Sequence, residues 1–412
     1  MAADGHRLMP RAVRLAAALL ACLVAGAAQA QSFHVQGYLD LRAGGSDAAD
    51  DSWLDGGLGK ARFGDGDGGI TGAGALAADW QVTPSVLASA EAQFVPAARR
   101  PLDVIDAWVR WRPVSTTPWR WSAKAGMFFP PVSLENDGVG WTSTWTLTPS
   151  AINTWVGEEL RVFGAEARLE HRGDRGTLAA SVALFEKNDP AGELLATRGW
   201  ALHDVTSGLD GSVREPDTIA PLIGAQAPVR YRPFLELDHR VGAYAALDWQ
   251  AAGGDRALLT WYDNRADPAR ETDYAGRELY AWRTRFWSAG ARRQFGDVVL
   301  LAQAMRGSTA IEPAPGSRFE TRFAAAYLLA GWNFGRWQPA LRVDAFQARR
   351  SLAPLDEHGH ALTLALNWRP RERLRISGEV LRVDSVRDQR QLAGLDARQR
   401  ELQLQVSLRW FY

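Results

Sequence analysis

From residue 33 to the C-terminus, the chain repeats runs of about ten residues in which apolar and polar side chains alternate, the length of strand that crosses a bilayer at a tilt. The last run, 401–412, shows the pattern most plainly. Leu402, Leu404, Val406, Leu408, Trp410 and Tyr412 share one parity, and Glu401, Gln403, Gln405, Ser407 and Arg409 share the other. Successive side chains of a strand point to opposite faces, so each run is a strand with one apolar and one polar face. The alternation predicts sixteen strands, over 33–43, 72–82, 86–95, 102–112, 119–128, 160–171, 176–187, 241–250, 256–263, 280–292, 298–306, 320–333, 337–347, 361–368, 374–384 and 401–412. Only over 256–263 does the pattern leave the face assignment open.

The connections between these runs alternate in length. Those after even-numbered strands take three to six residues, and those after odd-numbered strands take from about six to more than fifty. An antiparallel barrel in an outer membrane has short periplasmic turns and longer outer loops. A soluble sandwich or propeller has no reason to sort its connections. Tryptophan agrees: Trp80, Trp111, Trp119, Trp249, Trp337, Trp368 and Trp410 fall beside the short turns on the apolar parity, where an amphipathic ring belongs at a lipid–water boundary. The expected fold class is all-β, a closed antiparallel transmembrane β-barrel of about 16 strands.

The composition narrows the partners. Mean hydropathy is −0.23, and no apolar run after residue 30 reaches the roughly 18 residues of a spanning helix. At the N-terminus, Arg7, Arg11 and Arg14 precede an apolar stretch over 15–27 and Ala28-Gln29-Ala30, which together read as a signal peptide over 1–30. The mature chain is then 31–412. Leu19-Leu20-Ala21-Cys22 approaches a lipid-attachment box, but the apolar run before it is short and continues past Cys22. Cys22 is the only cysteine, which leaves the mature chain without thiols for disulfides or metals. Removing 1–30 takes three arginines and Asp4 from 47 basic and 47 acidic residues, leaving 44 against 46. That balance argues against a nucleic-acid partner.

With the apolar parity facing lipid, the polar parity lines a lumen. Charges of both signs fall there on nearly every strand, with Arg240, Arg283, Arg322 and Lys187 among the basic candidates. Burying so many ions dry would cost several kcal/mol each, so a wet lumen is expected, and sixteen strands enclose one. Many of these charges are expected to knit the wall as Arg–carboxylate ladders.

Signal peptide, strand number, loop sorting and the terminal aromatic strand together resemble a Gram-negative porin. The segments AGMFFPPVSLEN over 125–136 and WVGEELRVFGAE over 155–166 are similar to the strand–loop–strand region of the phosphate-selective porin family. The resemblance implies an outer-membrane channel for passive diffusion of small polar or anionic solutes. For the phosphate-selective members it also implies a lumen rich in arginine and lysine. This chain has three lysines: Lys60, Lys124 and Lys187. The porin architecture also places a constriction loop after the fifth strand, here 129–159, stiffened by Pro130-Pro131 and supplying Glu135, Asp137, Glu158 and Glu159. These are expected to face Arg42, Lys124, Arg285 and Arg342, which are the best placed by height, and to set a transverse field. The longer loop 188–240 competes for that role or caps the outer mouth.

Two other classes stay in view. An outer-membrane enzyme would need a nucleophile–histidine pair near the membrane edge, and no histidine here pairs with an outward serine, so no catalytic residue is expected. A receptor or adhesin would need a plug, supplied here only by loops. His358-Gly359-His360, expected in an outer loop, lacks a third ligand for a metal, and Asp65 with Asp67 lacks the closing ligands of a calcium loop. No metal or cofactor is therefore expected. The expected partners are outer-membrane lipid and lipopolysaccharide, the barrel-insertion machinery through 401–412, and two further copies in a homotrimer. Small outward residues on strands 2 and 3 (Gly74, Ala78, Ala88, Ala90 and Ala92) allow the close approach a trimer needs.

Overall fold

A computed structural model describes residues 32–66, 68–96, 98–351 and 356–412. The signal peptide expected over 1–30, Cys22 within it and Asp67 lie outside the described residues. Sixteen strands close into one antiparallel barrel. They are β1 Phe33–Ser46, β2 Gly68–Thr83, β3 Val86–Phe94, β4 Leu102–Trp111, β5 Trp119–Phe128, β6 Val162–Gly173, β7 Gly176–Glu186 and β8 Gly242–Ala251, followed by β9 Arg256–Asp263, β10 Arg285–Phe295, β11 Val298–Ile311, β12 Phe319–Trp332, β13 Trp337–Arg350, β14 Glu357–Arg371, β15 Leu374–Arg387 and β16 Arg398–Phe411. Each strand pairs with its neighbours in sequence, and β16 closes on β1 with Tyr38 opposite Phe411 and Leu41 opposite Leu408.

The expected strands over 119–128 and 256–263 match to the residue. The expected start of the tenth strand at 280 is wrong. Glu271–Tyr274 and Arg277–Tyr280 pair with each other as a separate hairpin, and β10 begins only at Arg285. Several strands also run further at the long-loop end than alternation suggested, with β11 reaching Ile311 and β13 Arg350. In these extensions both faces carry polar residues, so the periodicity that marks a half-buried strand disappears although the ladder continues.

The two faces follow the expected parity over most of the wall. Leu39, Leu41, Leu247, Leu328, Val343, Leu364 and Leu404 are exposed outward. Asp40, Arg42, Ser288, Arg342, Glu379 and Gln403 are buried on the inner side. Trp111, Trp119, Trp249, Trp337 and Trp410 are exposed on the outward face beside the short turns, forming the aromatic girdle that outer-membrane barrels carry.

What fills the inner side is not only wall. Among the described residues, the largest apolar core lies inside the barrel and joins wall residues Phe286, Met305, Phe323 and Leu381 to Val132, Leu134, Trp145, Trp155 and Trp200 of the long loops. Wall glycines make the room. A Cβ at Gly331 would stand 2.3 Å from the Trp145 ring, and one at Gly290 would stand 2.8 Å from Leu134. The loop after β5 contains helix α1, Ala151–Glu159, with all nine residues buried. The loop after β7 contains α2, Glu193–Thr197. Both loops fold inward.

Candidate functional site: the lumen and its inward loops

The loop 129–161 leaves β5 and reaches the far wall through backbone and side-chain contacts. Thr260 on β9 donates to the Pro131 carbonyl, and Gln303 on β11 donates to that of Val132 at 2.9 Å. On β13, Arg342 is wholly buried. It donates to Glu135 at 2.7 Å, to Asp344 at 2.7 Å and to the carbonyls of Thr148 (2.6 Å) and Pro149 (3.1 Å). On β15, Glu379 accepts from the backbone N–H groups of Leu147 at 2.6 Å and Thr148 at 3.1 Å. Asp344 accepts from Ala151 N–H at 3.2 Å, so a wall carboxylate meets the N-terminal, positive end of α1. Ser150 caps the same turn by accepting from Asn153, as N-cap serines do. Between Glu135 and Thr148 the loop doubles back across the lumen, where Gly140 N–H donates to Glu91 on β3.

The loop 187–241 packs on α1 rather than on the wall alone. Arg198 makes a two-pronged pair with Glu158 at 2.7 and 2.6 Å. His203 lies 3.1 Å from the same carboxylate and stacks on Trp53. Tyr231, Trp155 and the backbone N–H groups of Gly192 and Leu194 all donate to Glu159. Burial alone would lift Glu158, but Arg198 and His203 carry it down to about 2. Burial wins at Glu159, which rises to about 7 although its donors oppose the shift. Two adjacent carboxyl groups are thus shifted in opposite directions, one by its cation and the other by burial.

Of the eight site residues expected from the sequence, only Glu135 and Arg342 meet as an opposed pair. Arg42 pairs with Asp40 at 3.1 Å and with Asp204 at 2.7 Å, so its partner comes from the β7–β8 loop. Lys124 stays with the wall, 3.5 Å from Glu166 and over the Phe128 ring. Glu158 and Glu159 face the β7–β8 loop. Asp137 alone among the four loop carboxylates is exposed. Arg285 is a correction: Phe286 and Ser288 take the inner face of β10, which turns Arg285 outward. Arg322 on β12 points outward for the same reason. Arg283 precedes β10 and pairs with Asp263 at 3.2 Å. His358 and His360 are not in a loop but on the outward face of β14.

Sequence reading missed Arg161. It is wholly buried and donates to the carbonyls of Ile105 (2.9 Å), Leu160 (2.7 Å) and Ser207 (3.2 Å), with Phe129 beneath its guanidinium. It also missed Arg198 and Asp204, because a charge inside a long polar loop carries no periodicity. Among the described residues, Asp189, Glu236 and Asp238 bring carboxylate oxygens within 4.8 Å of one another, a spacing that could hold a cation.

The inner wall from β3 to β8 differs from the far wall. Its ladders are partly hydrated: Arg168 reaches Glu170 at 3.0 Å and Asp248 at 3.2 Å, and Arg256 reaches Asp248 at 2.9 Å. Arg110 lies on the same stretch and is part-exposed.

This is the architecture of outer-membrane β-barrels. The outer membrane channel DcaP of Acinetobacter baumannii superimposes with a TM-score of 0.55 at 10% identity, over 93% of this chain and 97% of that one. A loop-deletion form of OmpT, an outer membrane protein of Vibrio cholerae, gives 0.53 at 8% identity, over 93% and 100%. An anion-selective porin from Comamonas acidovorans gives 0.50 at 13% identity, over 93% and 100%. At such identities the likeness is one of fold. No family model matches the chain, and no curated protein sequence matches it. The resemblance over 125–166 to phosphate-selective porins therefore gains no support from sequence comparison.

Proposed function

We propose that the chain is a porin of a Gram-negative outer membrane, a water-filled channel for passive diffusion of small polar or anionic solutes. On this reading residues 1–30 are its leader and 31–412 its barrel. The observation that carries the proposal is the partly hydrated, charged inner wall of β3–β8 facing a loop that crosses the barrel from β5 to β15. The loop removes the far side of the lumen from water and leaves the near side for solutes. Both signs of charge line that side, which suits polar solutes of either sign better than phosphate alone. Asp137, the exposed loop carboxylate, is placed to bias ion preference. Homotrimeric assembly, outer-membrane lipid around the wall and insertion through 401–412 belong to the same proposal. The trimer form described for OmpT of Vibrio cholerae supports the assembly by analogy of fold.

One observation favours a second reading. The apolar cluster of Trp155, Trp200, Phe286 and Phe323 inside the barrel is what a plugged receptor would need. Planar-bilayer recording decides between them. A porin gives stepwise ion conductance, and Asp137→Lys shifts its ion preference toward anions. Folded protein that inserts without conducting would mean the two inward loops seal the lumen.

A further inference from the structure

Outer-membrane barrels carry aromatic girdles at both membrane interfaces. This one has the girdle beside its short turns. At the long-loop end of β10–β13, the outward positions are cations instead. Strand pairing sets Arg285, Ser308, Arg322 and Arg349 in one row across four strands. Arg306 lies one outward step nearer the barrel's middle, opposite Trp287. Like charges directly opposite on adjacent strands destabilise a sheet, yet Arg322 stands directly opposite Arg349. Among the described residues, the side chains of Arg285, Arg306 and Arg349 have no ion pair or hydrogen bond, and Arg322 only approaches Glu320 at 4.0 Å. Two outward arginines on another part of the barrel are neutralised, whereas Arg382 on β15 is, among the described residues, exposed without an ion pair, as these are. Arg398 and Arg400 on β16 share Asp384 at 2.7 and 3.1 Å.

Toward the middle of the wall, beyond the row of Trp287, Arg306, Ala324 and Gln347, the following outward row is Ala289, Ala304, Ala326 and Ala345. Four methyl side chains in succession, with Ala324 above them, leave an open groove of about 630 Å³, edged by Trp287, Arg306 and His358. A cationic rim thus stands directly over an apolar trough.

We propose that this groove is a binding site for a phosphorylated lipid of the outer leaflet, with an acyl chain in the alanine trough and phosphate on the arginine row. The proposal rests on the outer-membrane reading above. Guanidinium groups hold phosphate through paired N–H donors, and basic clusters at a membrane interface select anionic head groups. A bound phosphate relieves the Arg322–Arg349 repulsion, which Glu320 at 4.0 Å offsets only in part. Arg285 and Arg349 stand three strand spacings apart, about 14 Å at ~4.8 Å each, which accommodates a head group bearing two phosphates. A second copy of the chain is a poor occupant, because this face would meet its own positive charge.

The test is native mass spectrometry of the folded protein in detergent, offered bis-phosphorylated lipid A, the same lipid with its phosphates removed, or inorganic phosphate. The expected result is retention of the phosphorylated lipid alone, without displacement by inorganic phosphate. The triple variant R306Q/R322Q/R349Q should weaken retention on the order of a hundredfold, at roughly fivefold per arginine. Ala345→Phe should fill the trough and weaken it with every charge kept. Equal retention of the dephosphorylated lipid, or a triple variant that binds like the parent, overturns the site. Displacement by inorganic phosphate would also overturn it, by reducing it to a free-anion site. Protein that conducts in bilayers but retains no lipid sinks this site and leaves the channel reading standing. Failure to insert into bilayers at all sinks the channel reading first.

Discussion

The wall from β3 to β8 and the wall from β10 to β16 are built from the same alternation and use it differently. On the first, the inner face carries part-hydrated ladders such as Arg168–Glu170. On the second, the inner face is dry: Arg342, Asp344 and Glu379 are buried under the loop 129–161, the Arg387–Glu357 pair is buried at the long-loop end, and on β10–β13 further arginines stand outside. Alternation sorts side chains between two faces but does not say which face meets water. Here the loops decide: they bury the inner face of β10–β15 and leave Arg110, Lys124 and Arg168 of the other wall part-exposed.

The sharpest way to break that comparison is to remove one arginine from each side. Arg342→Met should leave Glu135 and Asp344 buried without their shared cation, a loss of roughly 3–5 kcal/mol. Arg168→Met removes a part-exposed cation from part-exposed Glu170, and the buried Asp248 retains Arg256, so about 1 kcal/mol is expected. Urea-unfolding midpoints in detergent compare the two. Equal losses would mean the walls do not differ in hydration.

Most of the wall was legible in the sequence because a strand half in lipid must alternate, and a short turn must be short. The interior was less so. Glu135 could be matched with Arg342 from loop position and strand height. Glu158 could not be matched with Arg198, since both sit in loops where nothing fixes register. Arg285 and Arg322 were assigned to the lumen on the assumption that charge points inward. That assumption fails at the long-loop end, where the outward face leaves the hydrocarbon. The same failure hid His358 and His360 on β14 and shortened the expected strands there.

The joint between the two inward loops gives a second, pH-dependent contrast. Glu158 is held down near 2 by Arg198 and His203 against the effect of burial. Its contribution is therefore present above its ordinary value of 4.5 and is lost as pH falls from there toward 2. Burial holds Glu159 up near 7. Below 4.5 it is protonated in folded and unfolded chains alike. As pH rises from 4.5 through 7 the unfolded chain ionises first, and stability falls by up to roughly 3 kcal/mol. The docking of 187–241 on α1 should then be tightest near pH 5 and looser at pH 8. Hydrogen exchange of that loop measures it. Glu159→Gln should reduce the alkaline loosening, to which Asp189 in the same loop, also raised to about 7, contributes as well, and leave the acid limb in place. A loop equally protected at pH 5 and 8 in the parent protein would contradict the assignment of Glu159.

The smallest effect expected on folding, though not on assembly, belongs to the outward faces. On β2 and β3 most of the paired outward residues are small, with Ala78 opposite Ala90 and Ala92 beside Leu76. On β12 and β13 they are larger in the middle of the wall, with Leu328 opposite Val343. Small side chains let neighbouring walls approach closely, so the first face suits contact between barrels and the second suits lipid. Ala90→Trp places a bulky ring where a neighbouring barrel would sit. Val343→Trp places the same ring where only acyl chains would. Neither should move the unfolding midpoint by more than about 0.5 kcal/mol, since each ring would otherwise sit on an exposed surface. In mild detergent, Ala90→Trp should shift a trimer toward monomer and Val343→Trp should leave it intact, as read from the mass of the complex by light scattering. If both variants stay trimeric, the contact lies elsewhere on the wall. If the parent is itself monomeric on dilution, the small residues of β2 and β3 do not mark an interface.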